Sequence, residues 1–295
     1  MELAGPEALF STGRQMTVPN AMVVGPMKAG STWIHDYLSA RGDVGLPDEV
    51  KETFFFDKHY NRGVDWYAAR FRRAAGHLHP VTIEVAPSLF HHPNAPARVR
   101  ATLGDIPIVV TTRDPVERSW SHYLHLRRYG FTRSPLEDAV AHFPEIISAS
   151  RYVQMIARWC ECFDIDRITV LRLEQLKTDP EGYAGALCSA LSLPGRLAPD
   201  AMLQRANEKA EAPSYMLAKV GQTLSDATRS AGFYGAVNLA KRFGLKTLFF
   251  GRPSNRTAGL RPTEAQVAFL QSRIGITAGG QSSARARLSS DFLGR

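Results

Sequence analysis

The chain has 295 residues, a formal net charge of +8 at pH 7 and 44% hydrophobic residues, enough to bury one large α/β core. No apolar run approaches membrane-spanning length, and Met1 to Asn20 lack the basic start and apolar stretch of a secretory signal. Cys160, Cys162 and Cys188 make no disulfide framework, and Cys-Glu-Cys without nearby histidines is not a zinc pattern, so a reduced, cytoplasmic setting is expected.

Taken in chain order, residues 1–18 read as a loosely ordered N-terminus. A short apolar strand over 21–25 leads into a helix over 31–41. Further strands are expected at 81–85, 106–112 and 167–173, and further helices near 114–129, 149–163 and 180–192. This alternation predicts a parallel sheet covered by helices on both faces. Residues 205–260 carry a long helical pattern with scattered Lys and Arg, expected to form a helical C-terminal cap over the site; an amphipathic membrane-surface helix is the alternative. Residues 19–278 are expected to form one α/β domain, and 279–295, following a Gly/Ser-rich stretch, a flexible tail. The positive charge favours anionic ligands, a nucleotide or an acidic acceptor, and no nucleic-acid-binding motif accompanies it.

The most informative run is Val24-Gly25-Pro26-Met27-Lys28-Ala29-Gly30-Ser31-Thr32-Trp33. A strand, a glycine turn and a helix N-terminus place backbone N–H groups and the positive helix end where a phosphate-like anion can sit. An ATP or GTP P-loop would need lysine directly after the second glycine, where Ser31 stands; here Lys28 lies inside the loop. The second informative run is Val109 to Tyr123. Its β-branched start is a buried-strand pattern. Asp114 can cap the following helix, Pro115 suits the first helical position, and Glu117 completes a capping box. Arg113 then stands at the carboxyl end of a strand, where open α/β sheets bind ligands, and Ser121 lies about two turns into the helix.

Lys28-Ala29-Gly30-Ser31-Thr32-Trp33 resembles the 5′-phosphosulfate loop of sulfotransferases that use 3′-phosphoadenosine-5′-phosphosulfate (PAPS). The Arg113–Ser121 segment resembles the family's 3′-phosphate element, and Asp164 to Pro180 its late strand and helix. The resemblance implies a P-loop-like α/β fold, with residues 28–33, Arg113 and Ser121 as cofactor-binding positions. Arg252 and Arg256, in a Gly/Pro-containing loop, are candidates to close over the cofactor.

Lys51-Glu52-Thr53-Phe54-Phe55-Phe56-Asp57, followed by Gly63-Val64-Asp65-Trp66-Tyr67, resembles the matching stretch of heparan-sulfate-type and bacterial carbohydrate sulfotransferases, which makes Glu52 the implied base. Three neighbouring phenylalanines could raise its pKa by desolvation, with Lys51 pulling the other way; His35 and His59 are rival bases. Lys28 is the second catalytic candidate, stabilising charge on the leaving oxygen. The family often has histidine where this chain has Phe54, and a Glu-Lys-Thr-Pro-Ser segment where it has Glu84-Val85-Ala86-Pro87-Ser88, which hints at a less polar acceptor.

The reading is sulfuryl transfer from PAPS to a hydroxyl or amine, without metal, because a sulfuryl group carries less charge than a phosphoryl group. Glycan, lipid, peptide and small-molecule acceptors all fit, and oligomeric state is open. Two other classes compete: a P-loop small-molecule kinase, which would need a Gly-Lys-Ser/Thr loop, and a non-catalytic module binding anionic polymers.

Overall fold

The computed structural model describes residues 17–71, 81–195 and 260–276. The chain divides into two compact units, one built from residues 1–113 and 156–207, the other from 114–155 and 208–295.

The first unit is organised by a four-stranded sheet. Its strands are β1 (Ala21–Val23), β2 (Ile83–Val85), β3 (Ile108–Thr112) and β4 (Ile168–Arg172), all parallel, in spatial order β2-β1-β3-β4. The first three strands are buried at every position, which is why they read as apolar runs with little polar alternation. They match the expected strands but are shorter, because residues flanking the ladder hold single bonds: Val24 N–H still donates to Val109 O at 2.9 Å. Helix α1 (Ser31–Arg41) buries Trp33, Ile34, Tyr37 and Leu38 on one face. These pack with Ile83, Val85 and Val109 of the sheet and with Tyr183 and Leu187 of the later helix α9 (Pro180–Ala190). Gly42, at φ 73°, ends α1 in the left-handed conformation that glycine adopts at least cost.

Between β1 and β3 the chain holds elements that the sequence pattern does not reveal. Residues Phe55–His59 form a π-helical turn, followed by α2 (Gly63–Ala68); α3 (Ala95–Leu103) precedes β3. The π turn arises where Phe54 adopts φ 55°, so that its carbonyl accepts from both Lys58 N and His59 N, at 3.0 and 3.1 Å.

The second unit begins with α4 (Pro115–Arg128), capped as expected by Asp114, whose Oδ1 accepts from Glu117 N at 2.8 Å. Helices α5 (Leu136–His142) and α6 (Glu145–Ser148) follow, then α7 (Tyr152–Cys160), which runs from this unit back into the first. Leu173–Thr178 (α8) and α9 complete the first unit, while α10 (Glu264–Ile274) closes the second with a capping box between Thr263 and Gln266. Tyr123, Leu126, Leu136, Ile146 and Leu270 form the core of the second unit. Arg118 is fully buried there, donating to the Ser150 hydroxyl and to the carbonyls of Glu145 and Ile146. Trp120 Nε1 donates to Leu260 O at 2.9 Å, tying α10 to α4.

The expected cap at 205–260, apart from Leu260, lies outside the described residues, as do residues 1–16 and 277–295. Among the described residues, no helix is long and apolar enough to cross a membrane.

Candidate active site

The strand order sets the location. From β1 the chain moves to β2 on one side, then crosses to β3 on the other, so the direction of winding reverses between β1 and β3. In parallel α/β sheets that reversal opens a crevice at the carboxyl ends of the two strands. The loop after β1 carries Lys28, and Arg113 directly follows β3. The two meet: Arg113 Nη1 reaches Lys28 O at 3.5 Å.

The loop from Val24 to Gly30 is shaped by close approach and by unusual backbone. A Cβ on Gly25 would lie 2.2 Å from the Thr111 backbone nitrogen, so only glycine lets the loop cross β3 there. Lys28 adopts φ 74° and Gly30 φ 97°. A non-glycine residue in this region costs about 1 kcal/mol or more, and such strain concentrates at ligand-binding turns. Gly30 caps α1 without a side-chain acceptor, and the first turn contains no acidic residue. The leading N–H groups of α1 are therefore offered at the positive end of the helix with no carboxylate of their own to hold. Ala29 and Ser31 are buried and Thr32 is exposed.

A second element reaches this turn. Lys51 Nζ donates to Ser31 Oγ at 3.3 Å and to Thr32 Oγ1 at 3.2 Å. Glu52, the next residue, faces the segment after β2: its Oε1 accepts from Ser88 N at 3.0 Å, and Ser88 Oγ donates to Asp57 Oδ2 at 2.8 Å. Burial pushes the Glu52 carboxyl from the usual 4.5 up to about 7, with the nearby Glu84 and Asp57 carboxylates adding to the rise against the bonds from Ser88. Glu84 stands behind it, fully buried. Its Oε1 accepts from Thr53 N at 2.6 Å and its Oε2 from the Tyr67 hydroxyl at 2.7 Å. Burial raises the carboxyl of Glu84 too. The backbone immediately after Glu52 is thus pinned by a carboxylate on a core strand.

Of the residues singled out from the sequence, 28–33, Glu52 and Arg113 all lie in the first unit. Trp33 is a packing residue by its ring, which stacks on Tyr37 at 5.3 Å and meets Tyr183 edge-on. Ser121 is half-buried on α4 of the second unit. Arg252 and Arg256 lie outside the described residues. His35 is half-buried beside Asp36, and burial lowers its pKa; His59 stands 5.3 Å from the Trp66 ring, with its pKa lowered likewise. Val85 points into the hydrophobic core, so its apolar character reports packing rather than an acceptor surface. Sequence reasoning passed over four participants: Lys51 as a partner of the loop hydroxyls, Ser88, Asp57, and Glu84 as an anchor. A glutamate inside the short apolar strand Ile83–Val85 was the one available signal.

A parallel sheet with an uncapped helix N-terminus and a lysine-bearing turn at its switch point defines a P-loop-like α/β protein. Residues 19–210, more than half of the chain, match the sulfotransferase domain family, and the chain belongs to it. The protein is 26% identical over 195 residues to the bifunctional heparan sulfate N-deacetylase/N-sulfotransferase 1 of Caenorhabditis elegans, covering 60% of this chain and 22% of that protein. It is 27% identical over 195 residues to the human heparan sulfate glucosamine 3-O-sulfotransferase 3B1, covering 63% of this chain and 49% of the relative. The chain therefore spans about half or less of the length of these relatives. A sulfotransferase from Alicyclobacillus acidocaldarius shares the fold, with a TM-score of 0.55, 22% identity and coverage of 74% of this chain and 96% of that one.

Proposed function

We propose that the protein transfers a sulfuryl group from PAPS to a hydroxyl or amine, with Glu52 as general base. One observation carries this reading. One loop joins the helix start to a candidate base: Lys51 bonds the hydroxyls at the start of α1, while the next residue, Glu52, presents a carboxyl whose pKa is about 7. A base is most useful when its pKa lies near the working pH, and burial supplies that here.

In the reaction as proposed, Glu52 takes the acceptor's proton while the acceptor oxygen or nitrogen bonds to sulfur. The bond from sulfur to the bridging oxygen of the 5′-phosphosulfate breaks, releasing 3′,5′-adenosine bisphosphate. The N–H groups from Ala29 to Thr32 and the hydroxyls of Ser31 and Thr32 hold the phosphosulfate. Lys28 meets the charge that grows on the bridging oxygen, an interaction stronger in the transition state than in the ground state. Arg113 binds the 3′-phosphate through a forked guanidinium, and Ser121 has the same assignment by resemblance.

For the acceptor we propose an anionic glycan. The relatives named above act on heparan sulfate, and the segment carrying Glu52 also carries basic and aromatic side chains: Lys58 Nζ lies 4.4 Å from the Phe54 ring centre and the Arg70 guanidinium 4.4 Å from that of Trp66. We place the reaction in a reducing compartment, the cytoplasm, on the strength of three free thiols. Incubation with labelled PAPS and desulfated heparan chains tests the reading: label is expected in the polysaccharide. Transfer to small phenols or lipids in preference to every glycan would overturn the acceptor assignment.

A further inference from the structure

Lys51 places a positive charge at the positive end of a helix. Its ammonium lies against the first turn of α1, bonded to Ser31 Oγ at 3.3 Å and Thr32 Oγ1 at 3.2 Å. That end of a helix carries the equivalent of about half a positive charge, so a cation there is repelled, whereas an anion is attracted. The carboxylates of Glu52 and Asp36 attract the ammonium and offset part of that repulsion, but neither forms an ion pair with it among the described residues. The first turn has no acidic residue, Lys51 is absent from the ion pairs among the described residues, and the adjacent Glu52 carboxyl is committed to Ser88. The side chain is half-buried, and desolvation lowers its pKa.

The placement is nevertheless fixed. Thr53 N, two residues on, is anchored by Glu84, and the Glu52 carboxylate between them by Ser88 N. Two positive features, a helix end and an ammonium, are thus held against each other by a buried scaffold. Lys28 brings a second lysine to the same turn. An arrangement of this kind is satisfied by an anion with several oxygens, one set for the N–H groups and hydroxyls and another for the ammonium.

We infer that Lys51 is a donor-binding residue, its ammonium contacting the phosphosulfate oxygens held at the start of α1 and sharing their charge with Lys28. The inference rests on the PAPS reading above and adds a residue to it. Lys51 supplies its charge from the same loop that supplies the base, so donor binding and the positioning of Glu52 are coupled through one peptide segment.

The test compares the full chain with Lys51→Met and Lys51→Arg by thermal melting, by binding of 3′,5′-adenosine bisphosphate and by PAPS turnover. Without ligand, Lys51→Met is expected to melt at or above the wild-type temperature, because a repulsive contact has gone. Its bisphosphate affinity is expected to fall by roughly tenfold to a hundredfold, as for a lost charge-assisted hydrogen bond, and kcat/KM for PAPS by at least as much. Lys51→Arg should recover part of both. A Lys51→Met protein that melts lower without ligand yet binds the bisphosphate like wild type would make Lys51 a structural prop and overturn the inference alone. A wild-type chain that does not bind the bisphosphate would overturn the PAPS reading and this inference together.

Discussion

At the scale of single residues, Glu52, the proposed base, carries the sharpest pH prediction. Its carboxyl lies at about 7 in the folded protein against an ordinary 4.5, chiefly because of burial. Between those values the folded state holds a proton that the unfolded state has released, so this group makes stability fall as pH rises through the window. Activity runs the other way, since a base must be ionised. The account predicts that kcat/KM drops about tenfold per pH unit below 7. Glu52→Gln should lower kcat by about 10²- to 10⁴-fold, abolish that acidic limb and leave bisphosphate binding intact. A mutant with unchanged kcat would hand the role of base to another group. Glu52 was legible in the sequence because a recognisable aromatic segment follows it. Lys51 was not: beside Glu52 it reads as a local charge neighbour, and its contact with Ser31 and Thr32 depends on the loop folding back onto α1.

At the scale of elements, β2 does more than complete the sheet. Ile83 and Val85 face the hydrophobic core, and Glu84 between them turns to the other face to hold Thr53 N and the Tyr67 hydroxyl. Glu84→Leu would leave both donors buried without an acceptor, which costs about 2–4 kcal/mol in stability and frees the segment that positions Glu52. Glu84→Gln keeps an acceptor for Thr53 N and should retain most of the stability; chemical denaturation of the two variants checks the difference. If Glu84→Leu were as stable as wild type, the anchoring role would be wrong. Strands β1 to β4, α1, α4 and α9 follow from apolar runs and, for α4, from the cap Asp114. The π turn at Phe55–His59 does not, because it depends on a left-handed Phe54 that no residue preference announces. Helix α3 begins with Pro96 in its first turn, a signal that an intervening run of mixed polarity obscured.

At the scale of the whole molecule, the order β2-β1-β3-β4 gives the site its place, since it brings the loop after β1 and the residue after β3 to one crevice. A sequence read as alternating strands and helices gives parallel pairing but not this order, which is set by which crossover covers which face. The family membership, the loop geometry and the position of Arg113 all bear on one claim, that the crevice distinguishes a nucleotide carrying a 3′-phosphate. Calorimetric binding of 3′,5′-adenosine bisphosphate, ADP and 5′-AMP to wild type and Arg113→Ala tests it most directly. The account predicts a strong preference for the bisphosphate that Arg113→Ala loses. Equal binding of ADP and the bisphosphate by the wild type would contradict it.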